Sequence, residues 1–141
     1  MLPWSYVRNL GTERLQKTYP IRTMLEKGVR IALSSDSPAN AWAVPFDPFI
    51  GIQAAATRIA YDGTDLGQAE KITVEEAIRM YTAEGAYVLG IRDRGILKRG
   101  YAADFTVIDR DILRIPPEEI SQIKVCQTFI DGVQVYEKQK Y

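Results

Sequence analysis

The sequence contains no histidine, although it has 141 residues with 18 basic and 18 acidic side chains. Histidine is the commonest metal ligand and the usual general base near neutral pH. Its absence excludes a Ser-His-Asp or Cys-His catalytic arrangement built from this chain alone. A zinc site made only of carboxylates and one thiol would be unusual. Any chemistry of these kinds would therefore need residues that lie elsewhere.

The sequence also has a single cysteine, a net charge of zero and no long apolar run. The single Cys126 cannot form an intramolecular disulfide and fits a reducing compartment. No apolar run approaches the roughly 18–20 residues that span a bilayer, and the first ten residues lack the pattern of a signal peptide. A net charge of zero gives no electrostatic reason to expect nucleic acid or an anionic membrane as a partner. We therefore expect a cytoplasmic protein without either kind of partner, and 46% hydrophobic residues suffice for a core.

The first third of the chain predicts a helix followed by a strand. Residues 1–18 are irregular and predict a loop with at most a short helix. Pro20 suits the first turn of a helix, an apolar stripe follows it, and Gly28 fits a left-handed C-terminal cap. Residues 29–33 are β-prone and follow the cap at once. This order predicts the αβ half of a parallel α/β unit, with residues 29–33 as a buried strand.

Two further helices are predicted downstream. Thr73 and Glu76 have the spacing of a capping box, and the apolar pattern behind them predicts a helix to about Leu89 that Gly90 stops. Another helix is predicted upstream of this one, after Pro48, because Phe49, Ile52, Ala56, Ile59 and Ala60 form one apolar face.

The last 45 or so residues are mainly β-prone. Residues 103–109 and 124–130 read as strands, and residues 116–119 predict a short helical turn between them. Asp131-Gly132 then separates two β-prone runs. An Asp-Gly pair in this position predicts a two-residue hairpin, because a type I′ turn needs positive φ at both central residues.

Asp36 lies in a turn-rich segment directly after the predicted strand 29–33. Ligands and catalytic groups of parallel α/β proteins gather at the carboxyl ends of strands, where an acid can bind a metal or accept a proton from water. Ser-Asp-Ser-Pro is also ordinary turn chemistry, in which the aspartate bonds its own backbone. The spacing alone leaves both interpretations open.

Four groups of residues occur in an order that resembles the C-terminal part of the amidohydrolase superfamily. They are the Ser-Asp-Ser-Pro turn at 35–38, the helix start at 73–86, the Gly-rich and Ala-Asp-containing segment at 95–109, and the closing hairpin at 128–136. Further positions resemble the large amidohydrolases that include N-substituted formamide deformylases and proteins labelled exoenzyme regulatory protein. These positions are residues 11–14, Tyr19, Pro20, Pro45 and Arg58.

The resemblance implies an α/β fold, with the last β/α segment of a TIM-type barrel followed by part of a β-sandwich. Residues 1–95 would be the C-terminal portion of the barrel, with residues 29–33 as its eighth strand. Residues 96–141 would be the C-terminal portion of a composite sandwich built from both ends of an intact chain. We expect such an incomplete fold to repack, to self-associate or to be marginally stable, because a barrel strand without neighbours exposes unpaired edges.

The resemblance also implies a site. Asp36 would be a metal ligand and the general base of the complete enzyme, whose histidine ligands lie upstream of the part that resembles this chain. The metal would be divalent, with zinc expected, and none is expected on this chain alone because Asp36 is a single ligand. Trp42 and Phe46 would line a substrate pocket or pack as a lid. Arg58 would meet a substrate carboxylate or pair with a nearby acid.

Three other polar residues have structural interpretations. Asp104 and Asp109 bracket a predicted strand and suit turn and edge positions rather than metal ligation. Cys126, inside a predicted strand, suits a small buried apolar role.

The implied parent function is hydrolysis of a non-peptide C–N bond in an amide or N-formyl small molecule. For this chain three roles stay open: a catalytically silent C-terminal segment, a subunit that completes a split hydrolase with a partner supplying the missing N-terminal part, and a non-enzymatic regulatory or binding protein.

Overall fold

The computed structural model describes residues 3–35 and 46–139, with side chains from residue 7 onward. Its helices are α1 (Pro3–Leu15), α2 (Ile21–Glu26), α3 (Pro48–Thr57), α4 (Val74–Tyr81) and α5 (Ala83–Val88). Short 3₁₀ turns span Gln68–Glu70 and Pro117–Gln122, and the strands are β1 (Phe105–Ile108), β2 (Val125–Ile130) and β3 (Val133–Glu137). The arrangement is α/β, with helices first and a three-stranded antiparallel sheet last. None of the helices in the described ranges has the length and apolar content that a bilayer-spanning segment needs.

The N-terminal segment is more helical than its sequence predicts. Helix α1 covers most of the stretch expected to be loop, and it kinks at Gly11, where φ is 72° and ψ is 165°. Glycine reaches this conformation without the steric cost that other residues incur. Most of the described side chains of α1 are exposed, which agrees with the absence of a continuous apolar stripe in the sequence.

The helix predicted after Pro20 is confirmed, but the strand predicted behind it is wrong within the described structure. Helix α2 ends at Glu26, and Gly28 has the positive φ of a C-terminal cap, 73°. Residues 29–33 have no strand assignment, and Val29 is 48% exposed. A β-prone run becomes a strand only when another strand pairs with it. No described segment does so, and residue 33 is fixed instead by Leu33 N–H donating to the carbonyl of Met80 at 3.3 Å.

Helix α3 begins as its sequence directs and ends earlier than predicted. The Oδ1 of Asp47 accepts a hydrogen bond from the backbone N–H of Phe49 at 2.9 Å, which caps the helix. The helix stops at Thr57 because Arg58 adopts a left-handed conformation with φ of 56°. Ile59 and Ala60, predicted to lie on the apolar face, therefore lie beyond the helix.

The capping box at Thr73 is confirmed in both directions. Thr73 Oγ1 accepts from the Glu76 N–H at 3.1 Å, and Glu76 Oε2 accepts from the Thr73 N–H at 2.7 Å. The single helix predicted behind it is instead two, because Thr82 breaks the helical backbone with φ of −119° and ψ of −89°. The second part ends before Gly90, where φ is 73°.

The sheet has the order β1-β2-β3, and both pairs are antiparallel. Asp131 and Gly132 have φ of 51° and 77°, so the predicted hairpin turn is confirmed. Phe105 of β1 faces Phe129 of β2, and their rings stack with centroids 4.4 Å apart. The turn predicted at residues 116–119 is also confirmed, as the 3₁₀ turn Pro117–Gln122.

The core lies between α3, α4 and the 3₁₀ turn before β2. Helix α3 packs against both, which joins the helical part of the chain to the part that carries the sheet. The buried residues of this core are Phe49, Ile52, Ala55, Ile72, Ala77, Met80, Ile120 and Ile123.

Two glutamates hold helix α2 in place: Glu76 lies at the start of α4, and Glu70 lies in the first 3₁₀ turn. Arg22 donates from Nη1 and Nη2 to both carboxylate oxygens of Glu76, at 3.0 and 2.7 Å. Glu70 accepts from the Thr23 hydroxyl and, at 3.0 Å, from the Thr23 N–H. The hydrogen bonds from Arg22 hold the pKa of Glu76 below its ordinary value of 4.5, although partial burial opposes them. Glu76 therefore serves as a helix cap and as an interhelical ligand at once.

This double role predicts a stability that depends on pH. Because the folded pKa of Glu76 is depressed, its contribution is complete above the ordinary value of 4.5 and is lost as pH falls through the lower folded pKa. We expect Glu76→Gln to lower the free energy of unfolding at pH 7 by about 1 kcal/mol, because the charged pair with Arg22 is lost while glutamine can still accept from the Thr73 N–H. The difference from the unsubstituted chain should shrink as the pH falls below the folded pKa. Urea denaturation at pH 7 and in acid measures both.

Glu75→Gln is the matched control, because Glu75 lies in the same helical turn, is exposed and makes no hydrogen bond with the residues that the structure describes. It should change stability little at either pH. A pH-independent loss in Glu76→Gln would contradict the assignment.

Candidate functional site

The segment expected to carry the chemistry lies largely outside the described residues. Asp36 and Trp42 both fall in the undescribed range 36–45. The structure describes the residues just before this range, where the Leu33–Met80 hydrogen bond attaches residue 33 to the C-terminal part of α4. It also describes the residues just after this range, where Asp47 caps the start of α3. The two ends of this segment are thus held by α4 and α3.

Phe46 is described and is 85% exposed. A ring with this exposure covers no core formed by the described residues. Its role as a lid is therefore not supported, and its role as a pocket wall would depend on residues outside the described part of the chain.

Arg58 is buried, with 4% of its surface exposed, and its side chain binds backbone carbonyls. Its guanidinium donates to three carbonyl oxygens, those of Gly67 at 3.3 Å, of Thr18 at 2.7 Å and of Leu66. Burial lowers the pKa of this guanidinium, and the fields of Glu70 and Asp65 only partly offset that effect. No acid in the described part of the chain forms the predicted ion pair, because backbone carbonyls take up the donors that a carboxylate would use.

The carbonyls that Arg58 binds belong to two segments far apart in sequence. One segment is the turn after α1, and the other is the loop that precedes the first 3₁₀ turn. The two segments touch directly, since a Cβ added at Gly67 would lie 2.2 Å from the carbonyl oxygen of Gln16. Arg58 therefore joins the turn after α1 to the loop after α3, and the close approach at Gly67 requires glycine.

The described residues do not form a metal site. No group of three or more His, Cys, Asp or Glu side chains in the described ranges could hold a metal ion. Asp104 pairs with Arg94 and accepts from the Asp131 N–H at 2.8 Å, while Asp109 accepts from the Lys124 N–H at 2.9 Å. Both aspartates thus have the turn and edge positions predicted for them. Cys126 is only partly buried, so its predicted burial is confirmed in part.

Sequence reasoning missed the contacts that depend on distant segments. The backbone-binding role of Arg58 leaves no local signature in the sequence, because the carbonyls it binds lie in distant segments. The Cζ of Arg30 lies 3.3 Å from the Tyr87 ring centroid, although the two residues are 57 positions apart in the sequence. Nothing in the spacing of these two residues predicts that contact.

Comparison with known proteins identifies the class. The model of the amidohydrolase family matches residues 1–136. The chain belongs to the amidohydrolase family. It is 34% identical over 140 residues to YtcJ of Bacillus subtilis, a protein named as an amidohydrolase. That alignment covers 96% of this chain and 26% of YtcJ. It is 33% identical over 139 residues to the N-substituted formamide deformylase of Arthrobacter pascens, covering 96% of this chain and 25% of that enzyme.

The fold agrees with that assignment. The crystal structure of an uncharacterized metal-dependent hydrolase from Pyrococcus furiosus superposes with a TM-score of 0.62 at 32% sequence identity. The superposition covers 79% of this chain and 22% of the Pyrococcus protein. The chain thus spans about a quarter of the length of the curated relatives it matches.

Proposed function

We propose that this chain supplies the C-terminal segment of a metal-dependent hydrolase that acts on non-peptide C–N bonds of the amide or N-formyl type. The observation that carries the proposal is the match over 96% of this chain to an enzyme named for removing formyl groups from N-substituted formamides. The family assignment over residues 1–136 supports it independently.

The proposed division of the chain follows from the order of its elements. Residues 1–95, which contain all five helices α1–α5, would be the C-terminal portion of a TIM-type barrel. Residues 96–141, which contain β1–β3, would be the C-terminal portion of a composite β-sandwich. In the barrel, residues 29–33 would gain the strand partners that no described segment provides, and their backbone groups would then pair.

Asp36 is the catalytic residue that we assign to this chain. We propose that its carboxylate accepts a proton from the hydrolytic water and is one ligand of a divalent metal, with zinc as the expected ion. Trp42 and Phe46 would face the small-molecule amide. We do not extend the substrate site to Arg58, because its donors are used by backbone carbonyls.

The residues of this chain cannot hold the metal by themselves. A catalytic zinc takes about three protein ligands, usually histidines, and the 141 residues contain none. The remaining ligands would come from the N-terminal part of the fold, either in the same polypeptide or in a partner. The same histidine count favours the second candidate function, a regulatory or binding protein without turnover.

A chimera with the Arthrobacter pascens enzyme tests the proposal. The 141 residues replace the aligned last quarter of that enzyme, and hydrolysis of an N-substituted formamide is followed together with metal content. We expect turnover and tightly held metal in the chimera. The 141-residue chain alone should retain less than about a tenth of an equivalent of zinc after excess metal is removed, because one carboxylate binds it weakly.

The intact Arthrobacter pascens enzyme is the positive control, and the same enzyme lacking its last quarter is the negative control. A chimera that folds and binds metal but does not turn over would favour the regulatory alternative. A full equivalent of zinc held by the isolated chain would contradict the ligand argument.

A further inference from the structure

A cavity of about 460 Å³ lies beside α4 and α5 and is bounded by the segment that follows α5. Four arginines line it, Arg30, Arg79, Arg92 and Arg94, whereas Glu84 is the one acidic residue in the lining. The described residues that surround this cavity therefore present an excess of positive charge. We call it the arginine pocket.

The charges in the pocket are only partly compensated. Glu84 accepts from Arg30 Nε at 2.7 Å and from Arg79 Nη2 at 3.3 Å, so one carboxylate serves two guanidinium groups. The side chain of Arg79 is 70% exposed, while that of Glu84 is 14% exposed. Apart from the bond to Glu84, the guanidinium of Arg79 binds no residue that the structure describes, so its other donors are available to a ligand.

Arg92 adds a second uncompensated charge. It makes no hydrogen bond or ion pair with any residue in the described part of the chain. Arg94 differs, because it is paired with Asp104 and Asp131, two acids that do not line the pocket. The excess charge of the arginine pocket is therefore carried by Arg79 and Arg92.

One wall of the pocket is aromatic and apolar. The guanidinium of Arg30 lies over the Tyr87 ring at 3.3 Å from its centroid, which orders both side chains. Tyr87 is still 56% exposed, and Ile91 and Ile96, which also line the pocket, are 40% and 50% exposed. Apolar surface next to free guanidinium groups suits an organic anion better than an inorganic ion.

We propose that the arginine pocket binds a small organic oxyanion, a phosphate or carboxylate group carried on an aromatic or apolar body. The guanidinium forks of Arg79 and Arg92 bind the oxyanion, because a planar fork donates two parallel hydrogen bonds to such a group. Tyr87 and Ile96 contact the body of the ligand. This assignment uses neither Asp36 nor a metal, so its test is separate from that of the proposed hydrolase function.

Titration calorimetry of the 141-residue chain at low salt tests the assignment with four probes: phenyl phosphate, benzoate, inorganic phosphate and phenol. We expect saturable binding of phenyl phosphate or benzoate, weaker binding of inorganic phosphate and none of phenol. The tighter of the first two probes identifies the anionic group. Binding should weaken as salt is added, because the contacts are exposed.

Arg79→Gln and Arg92→Gln should each weaken binding of the tighter probe about fivefold or more, the effect expected for one charge-assisted contact. Arg114→Gln is the matched control, because Arg114 is an exposed arginine outside the pocket, and it should leave binding unchanged. Circular dichroism of each variant verifies the fold.

Glu84→Gln provides a variant with the opposite expected sign. It removes the acid that offsets Arg30 and Arg79, so binding of the probe should become tighter, which loss of folding cannot mimic. Absence of saturable binding by all four probes would overturn the assignment. Equal weakening in Arg79→Gln and Arg114→Gln would overturn it as well.

Discussion

Asp36→Asn is expected to slow hydrolysis of an N-substituted formamide by about 10³-fold in the chimera described above, the range of a lost general base. The amide of asparagine has nearly the shape of the carboxylate but cannot accept the proton of the hydrolytic water. The loss should appear in kcat more than in KM, because the proton is transferred in the transition state. Initial rates over a range of substrate concentrations measure both.

A control variant and a measurement of metal content test whether Asp36 acts as the general base. Asp111→Asn is the matched control, because Asp111 is an exposed aspartate paired with Arg114, and its rate should be unchanged. The metal content of Asp36→Asn tells whether the carboxylate also holds the ion. A variant that retains full kcat would remove Asp36 from the catalytic assignment.

Arg58→Met should destabilise the 141-residue chain by about 3 kcal/mol, a large effect for one substitution. Methionine nearly fills the space of the arginine stem but donates no hydrogen bond. The carbonyls of Thr18, Leu66 and Gly67 then lose their charged donor at a position that is 4% exposed. Relief of the buried charge offsets part of this loss, since burial already lowers the pKa of the guanidinium. Guanidinium chloride denaturation followed by circular dichroism measures the change.

Arg114→Met is the corresponding control, because the Arg114 side chain is 87% exposed. It should alter the free energy of unfolding by less than about 0.5 kcal/mol. If Arg58→Met and Arg114→Met destabilise the chain equally, the three carbonyl contacts do not contribute as described.

Features with a local cause could be predicted from the sequence. The capping box of Thr73 and Glu76 needs only residues three apart, and the Asp131-Gly132 turn needs only two residues that tolerate positive φ. Both are confirmed. The family could also be recognised, because its motifs are short, ordered and spread over nearly the whole chain.

Features that depend on distant segments could not be predicted. Residues 29–33 have the composition of a strand, but strand formation depends on a partner that the described residues do not include. Arginine is a residue type that binds substrate carboxylates, but the fold brings backbone carbonyls from distant segments to Arg58 instead. The break at Thr82 is similar, because nothing near Thr82 in the sequence interrupts the helical pattern of α4 and α5.

The pairing of Arg22 with Glu76 also bears on the order in which the chain acquires its structure. These residues are 54 positions apart. The chain between them, which includes Asp36, must therefore close into a long loop before the pair can fix helix α2. Closing such a loop costs more entropy than closing a two-residue turn. The β2–β3 hairpin has the two-residue turn Asp131-Gly132 and can form within microseconds. The β2–β3 hairpin can therefore form before the Arg22–Glu76 pair fixes helix α2 against α4.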